Sequence, residues 1–406
     1  MDKLSGYLTS ISKPRYEEDF VDRLNYRVTG YILLAAALTL SAKTYIMGDS
    51  VQCWVPAQFK DGWEEYVENY CLVENTYWVA MHDELPGDHS AREERQLSYY
   101  QWVPFVLALQ ALMFSIPHII WRMLNWLSGI EVRAIITMAS NPADNGLKAD
   151  SLKKTTDMIA RHLKAGLLLS ETDSLSTSSN PFAWIARWTS GLVGAYITIT
   201  YLIVKLLFII NCILQFVLLN AFLGTQYKYW GAEILSDLVA GRDWFNTGHF
   251  PRVTMCDFQV RQLGNLHRWS VQCVLVLNLF NEKVYLFLWW WFLVVTIVTI
   301  LNFIYWLVSS SVGSLRKEFL LRMLNAHHIR IETTEDRAVF DRFADHLIRS
   351  DGVVVLRLLA RNAGDIIGST VVATLWEMSK EELKKQLSLA YHPNKVSPDE
   401  MDAKYN

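Results

Sequence analysis

Five cysteines are the residues of this 406-residue chain best placed to do chemistry. Cys53 and Cys71 share one loop, Cys256 and Cys273 another, and each loop abuts long apolar segments. Thiols can ligate a metal, attack a substrate or oxidise. A metal set needs further His or Cys at short spacing; the adjacent pair His327-His328 stands in a polar stretch and reads as solvated. No Gly-rich phosphate loop and no nucleophile elbow occur. The chain is therefore expected not to be an enzyme, with no cofactor and no metal. Oxidation remains. Cysteines confined to loops on one side of a membrane belong to an oxidising space, where they staple those loops as disulfides. Four cysteines permit three pairings, and spacing does not choose among them. Cys212, inside an apolar run, reads as a reduced packing residue.

The elements that position these loops are apolar. Hydrophobic residues make up 51% of the chain, with 16 Trp, 18 Tyr and 18 Phe, and the mean hydropathy is +0.14. A helix rises about 1.5 Å per residue and must cross about 30 Å of hydrocarbon, so runs of about 18 or more apolar residues read as spans. Four such runs are expected: residues 28–47, 100–121, 192–223 and 284–308. The third is the longest and must tilt or project. The fold class is an all-α membrane protein, a four-helix bundle with disulfide-braced outer loops, room for a small β element, and a helical cytoplasmic region.

Orientation follows from basic residues. Residues 1–27 carry Lys3, Lys13, Arg15, Arg23 and Arg27. The loop at 48–99 carries three cations against eleven acids, leaving −8. Both termini are thus expected in the cytosol, with loops 48–99 and 224–283 outside. The loop at 122–191 and the tail at 309–406 fall inside, and Ser174–Asn180 reads as a flexible connector. Leu315–Leu324 is an amphipathic run, and Val353–Leu359 a short apolar strand or helix. The start of the chain lacks the apolar core of a signal peptide. A net charge of −3 gives no nucleic-acid signal.

Leu4, Tyr7, Leu8 and Ile11 share one face of a short helix. That face suits a membrane surface or a fold back into a pore. Asn211 and Gln215, Thr296, Thr299 and Asn302, and Gly30, Ala37 and Ser41 form small or polar stripes, which read first as helix packing. Lys43 either snorkels or places charge at a pore mouth, and Lys205 reads as snorkelling to the cytosol. Loop aromatics, Trp54, Phe59, Trp63, Tyr66, Tyr70, Tyr77 and Trp78 in one and Tyr227, Tyr229, Trp230, Trp244 and Phe250 in the other, read as a mini-core whose exposed members suit docking. No Asn-x-Ser/Thr sequon occurs.

At the mouth of the second run the chain reads YYQWVPF: Tyr99, Tyr100, Gln101, Trp102, Val103, Pro104 and Phe105. Pro104 is expected to bend this span, with Tyr99, Tyr100 and Trp102 as interfacial anchors. The motif resembles the signature of the innexins, the invertebrate gap-junction family. DRLNYRVT (Asp22–Thr29), CWVPAQF (Cys53–Phe59), the 40 residues Phe250–Trp289 and DGVVVLRLLARNAGDI (Asp351–Ile366) are similar to the same family.

The resemblance implies a gap-junction subunit in the plasma membrane that forms an oligomeric ring, octameric in the family. That hemichannel docks with one on the neighbouring cell, of the same or a different innexin, and passes ions and small solutes. It also implies loop-to-loop bridges, Cys53 with Cys273 and Cys71 with Cys256. A funnel is implied at the N-terminal segment, which makes Asp2, Lys3, Leu4, Tyr7, Leu8 and Ile11 pore-lining candidates; Lys43, near the outer end of the first span, is a further candidate. The alternatives are a pannexin-like unpaired hemichannel and a non-conducting adhesion or scaffold protein.

Overall fold

The computed structural model describes residues 17–46, 48, 50–80, 83–126, 128–144, 149–172, 194–222 and 250–391. They fall into two compact units. One comprises Leu24–Pro117 and Leu207–Ile300, the other Met1–Arg23, His118–Leu206 and Leu301–Asn406.

Helix α1 runs through Phe20–Arg23, which belongs to the second unit, then a π-helical stretch Leu24–Thr29 and Gly30–Tyr45 in the first. Strand β1 is Val51–Trp54, α2 is Asp61–Glu74, β2 is Thr76–Tyr77, α3 is His89–Glu93 and β3 is Gln96–Leu97. A 3-10 turn at Tyr99–Gln101 leads into α4, Val103–Trp126. Later in the chain come α7 (Tyr196–Phe222), β4 (Val253–Gln262), β5 (Asn265–Leu275) and α8 (Val276–Ser311). The second unit adds α5 (Val132–Asp144) and α6 (Ala149–Thr172). It also holds α9 (Gly313–Asn325), α10 (Thr334–Arg342), α11 (Arg349–Ala363) and α12 (Asp365–Tyr391).

Three helices among the described residues are long and apolar enough to cross a membrane: α4, α7 and α8. The regular part of α1 is 16 residues long and falls short of that measure. Among the described residues the longest helix is α8, with 36 residues against 27 for α7. At 1.5 Å per residue α8 extends about 54 Å, well beyond a hydrocarbon core. It starts directly from β5, so the helix that carries the fourth apolar run begins eight residues before that run.

The β element is larger than expected, a five-stranded antiparallel sheet in the order β1-β5-β4-β2-β3. β4 and β5 form a hairpin closed by Gln262 opposite Asn265. Its two turn residues, Leu263 and Gly264, both have positive φ (49° and 88°), which matches the right-handed twist of the strands. Alternate residues of the strands, Thr254, Cys256 and Phe258 with Val271, Cys273 and Leu275, are buried. All of these but Thr254 form one cluster with Val67 and Cys71 of α2. A second cluster joins Leu33, Ala37 and Leu40 of α1 to Leu107 and Phe114 of α4, Cys212 of α7 and Phe292 of α8.

In the second unit, Val353–Leu359 is helical, within α11, and every residue from Val353 to Ala360 is buried. A Cβ on Gly352 would lie 2.8 Å from Ile348 and 3.3 Å from Leu167, so glycine permits the close approach of α11 to α6.

Candidate functional site

Cys53 and Cys273 stand directly opposite each other on β1 and β5, and their sulfurs are bonded at 2.05 Å. The second bridge, Cys71 with Cys256 at 1.98 Å, ties α2 to β4. The two loops, 220 and 185 residues apart at these bridges, thereby become one lobe. Three of these sulfurs, on Cys53, Cys71 and Cys273, lie within 4.8 Å of one another. All three are in disulfides, so none is a thiolate available to a metal. Cys212 is free and buried.

The lobe has a polar brace that local sequence patterns missed. Asp257 on β4 accepts from Tyr77 at 3.0 Å, Ser270 at 2.6 Å and Arg92 at 2.7 Å. Burial opposes the charge on Asp257, but these donors and the Arg92 guanidinium hold its carboxyl below the usual range. The Tyr77 phenol, partly buried beside that carboxylate, is pushed up to about 12.

YYQWVPF works differently from expectation. The Tyr100 side chain is buried, and its hydroxyl donates to the Cys71 carbonyl at 3.3 Å. Gln101 Nε2 donates to the carbonyls of Leu72 and Val73 and to Asn75 Oδ1, the last two at 3.1 Å. The last carbonyls of a helix have no partner within it; here Tyr100 and Gln101 supply donors to the end of α2. Trp102 and Phe105 are the exposed aromatics of the motif, at 60% and 57%. Pro104 lies in the first turn of α4, where no backbone donor is required, so it starts the helix rather than bending it. The proline inside α4 is Pro117.

Polar residues of the apolar helices pair with one another. Asn25 Nδ2 donates to Thr299 at 2.9 Å, Trp291 Nε1 donates to Thr29 at 3.0 Å, and Gln215 Nε2 donates to Asn211 at 3.2 Å. The first two bonds are packing contacts between helices, whereas the Gln215–Asn211 bond runs along α7 itself. Lys43, near the end of α1, donates to the Gly48 carbonyl at 3.2 Å.

Lys205 does not snorkel. It is 1% exposed, and its ammonium lies 3.0 Å from Asp19 and 2.9 Å from Asp22. Asn302 and Trp306 donate to Asp19 at 2.8 and 2.6 Å, Tyr201 donates to Asp22 at 2.7 Å, and Arg361 of α11 approaches Asp19 at 3.4 Å. A buried cation needs such counter-charges and donors. The residues just before the first apolar run are thus pinned to α7, α8 and α11.

Over residues 18–379 the chain matches the family model Innexin. The chain belongs to the innexin family. It is 41% identical to Innexin unc-9 of Caenorhabditis elegans over 379 residues, which is 93% of this chain and 96% of that relative. Identity to Innexin-19 of Caenorhabditis briggsae is 39% over 388 residues, 90% of this chain and 87% of the relative. Innexin eat-5 of Caenorhabditis elegans is 39% identical over 383 residues, 91% of this chain and 89% of the relative. The innexin sequence features map onto the geometry above: the second-loop stretch forms β4, β5 and the start of α8, and YYQ closes the end of α2. Among the aromatics, Phe59 packs edge-on against Trp63 and Trp269, and Trp54 is exposed. Asp2, Lys3, Leu4, Tyr7, Leu8 and Ile11 lie outside the described residues, as do Tyr227, Tyr229, Trp230, Trp244 and Ser174–Asn180.

Proposed function

We propose that this innexin crosses the plasma membrane four times with both termini in the cytosol. It assembles into an octameric ring and docks end to end with a hemichannel of the adjacent cell, passing ions and small solutes. The fourth span is α1, whose helical run extends beyond its regular part through the π-helical stretch. In this reading the segment containing Asp2, Lys3, Leu4, Tyr7, Leu8 and Ile11 lines the cytoplasmic funnel, and Lys43 adds positive charge at the outer mouth.

The observation that carries the reading is the fusion of both outer loops into one lobe by Cys53–Cys273 and Cys71–Cys256. Docking across an intercellular gap needs a surface whose shape survives without a partner, and cross-links between distant segments provide that. An isolated hemichannel would have little use for two leucines, Leu263 and Leu266, exposed at the hairpin tip.

Images of the purified full-length protein test the reading. Eightfold rings, some stacked outer face to outer face, are the expected result. Single rings at every concentration would favour the unpaired hemichannel, and particles without a ring would favour a scaffold.

A further inference from the structure

Where α4 ends and α5 begins, the second unit contains an open cleft of about 410 Å³. Its polar wall is made by Glu17, Arg122, Asn125, Glu131 and Arg133. Arg122 Nε lies 3.6 Å from Glu17, while Glu131 and Arg133 are exposed at the start of α5. Asn125 is 5% exposed, and its Oδ1 has no hydrogen-bond partner among the described residues. A buried acceptor left unpaired is costly, so this oxygen calls for an N–H or O–H from a bound group. Two guanidiniums facing two carboxylates suit a zwitterion better than a simple anion. Guanidinium donors match phosphate oxygens, and the carboxylates match an ammonium. The apolar wall is Ile119, Met123 and Trp126, all exposed on the last turns of a helix long enough to span a bilayer. Trp at a span end sits at headgroup level.

We propose that this cleft binds the phosphoethanolamine headgroup of a membrane phospholipid. Its phosphate rests on Arg122 and Arg133, and its primary ammonium lies between Glu131 and the Asn125 amide oxygen. The acyl chains run along Ile119, Met123 and Trp126. A choline headgroup has no N–H to give Asn125, and a serine headgroup sets an added carboxylate against Glu131. The proposal rests on α4 crossing a bilayer, as in the function proposed above.

The test is native mass spectrometry of the full-length protein, from nanodiscs holding equal parts of ethanolamine, choline and serine phospholipids. Retention of the ethanolamine lipid over the choline lipid by about tenfold is expected, the scale of one charge-assisted hydrogen bond. Glu131→Gln and Asn125→Leu, which remove the carboxylate and the amide oxygen facing the ammonium, are expected to bring that ratio toward parity, and Arg133→Ala to lower retention of all three lipids alike, without changing the helical circular dichroism. Equal retention in the native protein, or a preference that survives both Glu131→Gln and Asn125→Leu, overturns the proposal. Displacement of the lipid by soluble glycerophosphoethanolamine at matched concentration also overturns it, since the source would then not be the bilayer. Insertion without selectivity leaves the channel reading intact. Failure to insert contradicts the span reading and this proposal together.

Discussion

Lys205 bears the heaviest electrostatic load of any single residue described here, because one buried ammonium faces two buried carboxylates. Removing one partner of such a set strands the others, at about 3–5 kcal/mol. Lys205→Met is therefore expected to lower the thermal unfolding temperature of the purified protein, and Lys205→Met/Asp22→Asn to recover part of the loss. A Lys205→Met protein that melts like the native one would contradict the pairing. Asp257 makes a pH prediction in the disulfide-bonded lobe. Its folded-state value is depressed, so its contribution is fully present above the unfolded carboxylate range of about pH 4. That contribution is lost as pH falls through the folded value. The stability gap between native protein and Asp257→Asn is expected to be widest near pH 7 and to shrink below about pH 4. An equal gap at both would show that the charge on Asp257 does not matter. Neither residue's role was legible in sequence. Lys205 and Asp22 are 183 positions apart, as are Asp257 and Arg92 at 165, and partners so distant leave no local pattern.

Elements were legible to the degree that their signal is local. The apolar runs of α4, α7 and α8 announce themselves because a bilayer demands continuity. The sheet does not, since β1 finds β5 only through a pairing more than 200 residues long, and the alternation in β4 and β5 is diluted by polar residues toward the tip. YYQWVPF was visible as a motif, but its work was not. Donation from a side chain to the end of a helix 26 to 29 residues upstream depends on the fold. Gln101→Leu removes the amide donor to the Leu72 and Val73 carbonyls at the end of α2. It is expected to cost about 1 kcal/mol or more, read as a lowered melting temperature. Unchanged melting would mean that water replaces Gln101 without loss.

For the whole molecule, the two disulfides convert separate loops into one rigid lobe, and the buried Asp19–Asp22–Lys205 cluster anchors the residues just after the N-terminal segment. Both features join parts of the chain that the proposed channel must hold in register: the proposed docking face in the first case, the proposed funnel in the second. Family membership was readable from motifs spread over most of the chain, whereas ring size and docking belong to assemblies of several chains. The most direct measurement is junctional current between two cells that each express this protein and no other channel of its kind. The account predicts a current between paired cells that is abolished by Cys53→Ser while that variant still reaches the surface. No current from the native protein, with the chain present on both apposed membranes, would contradict it.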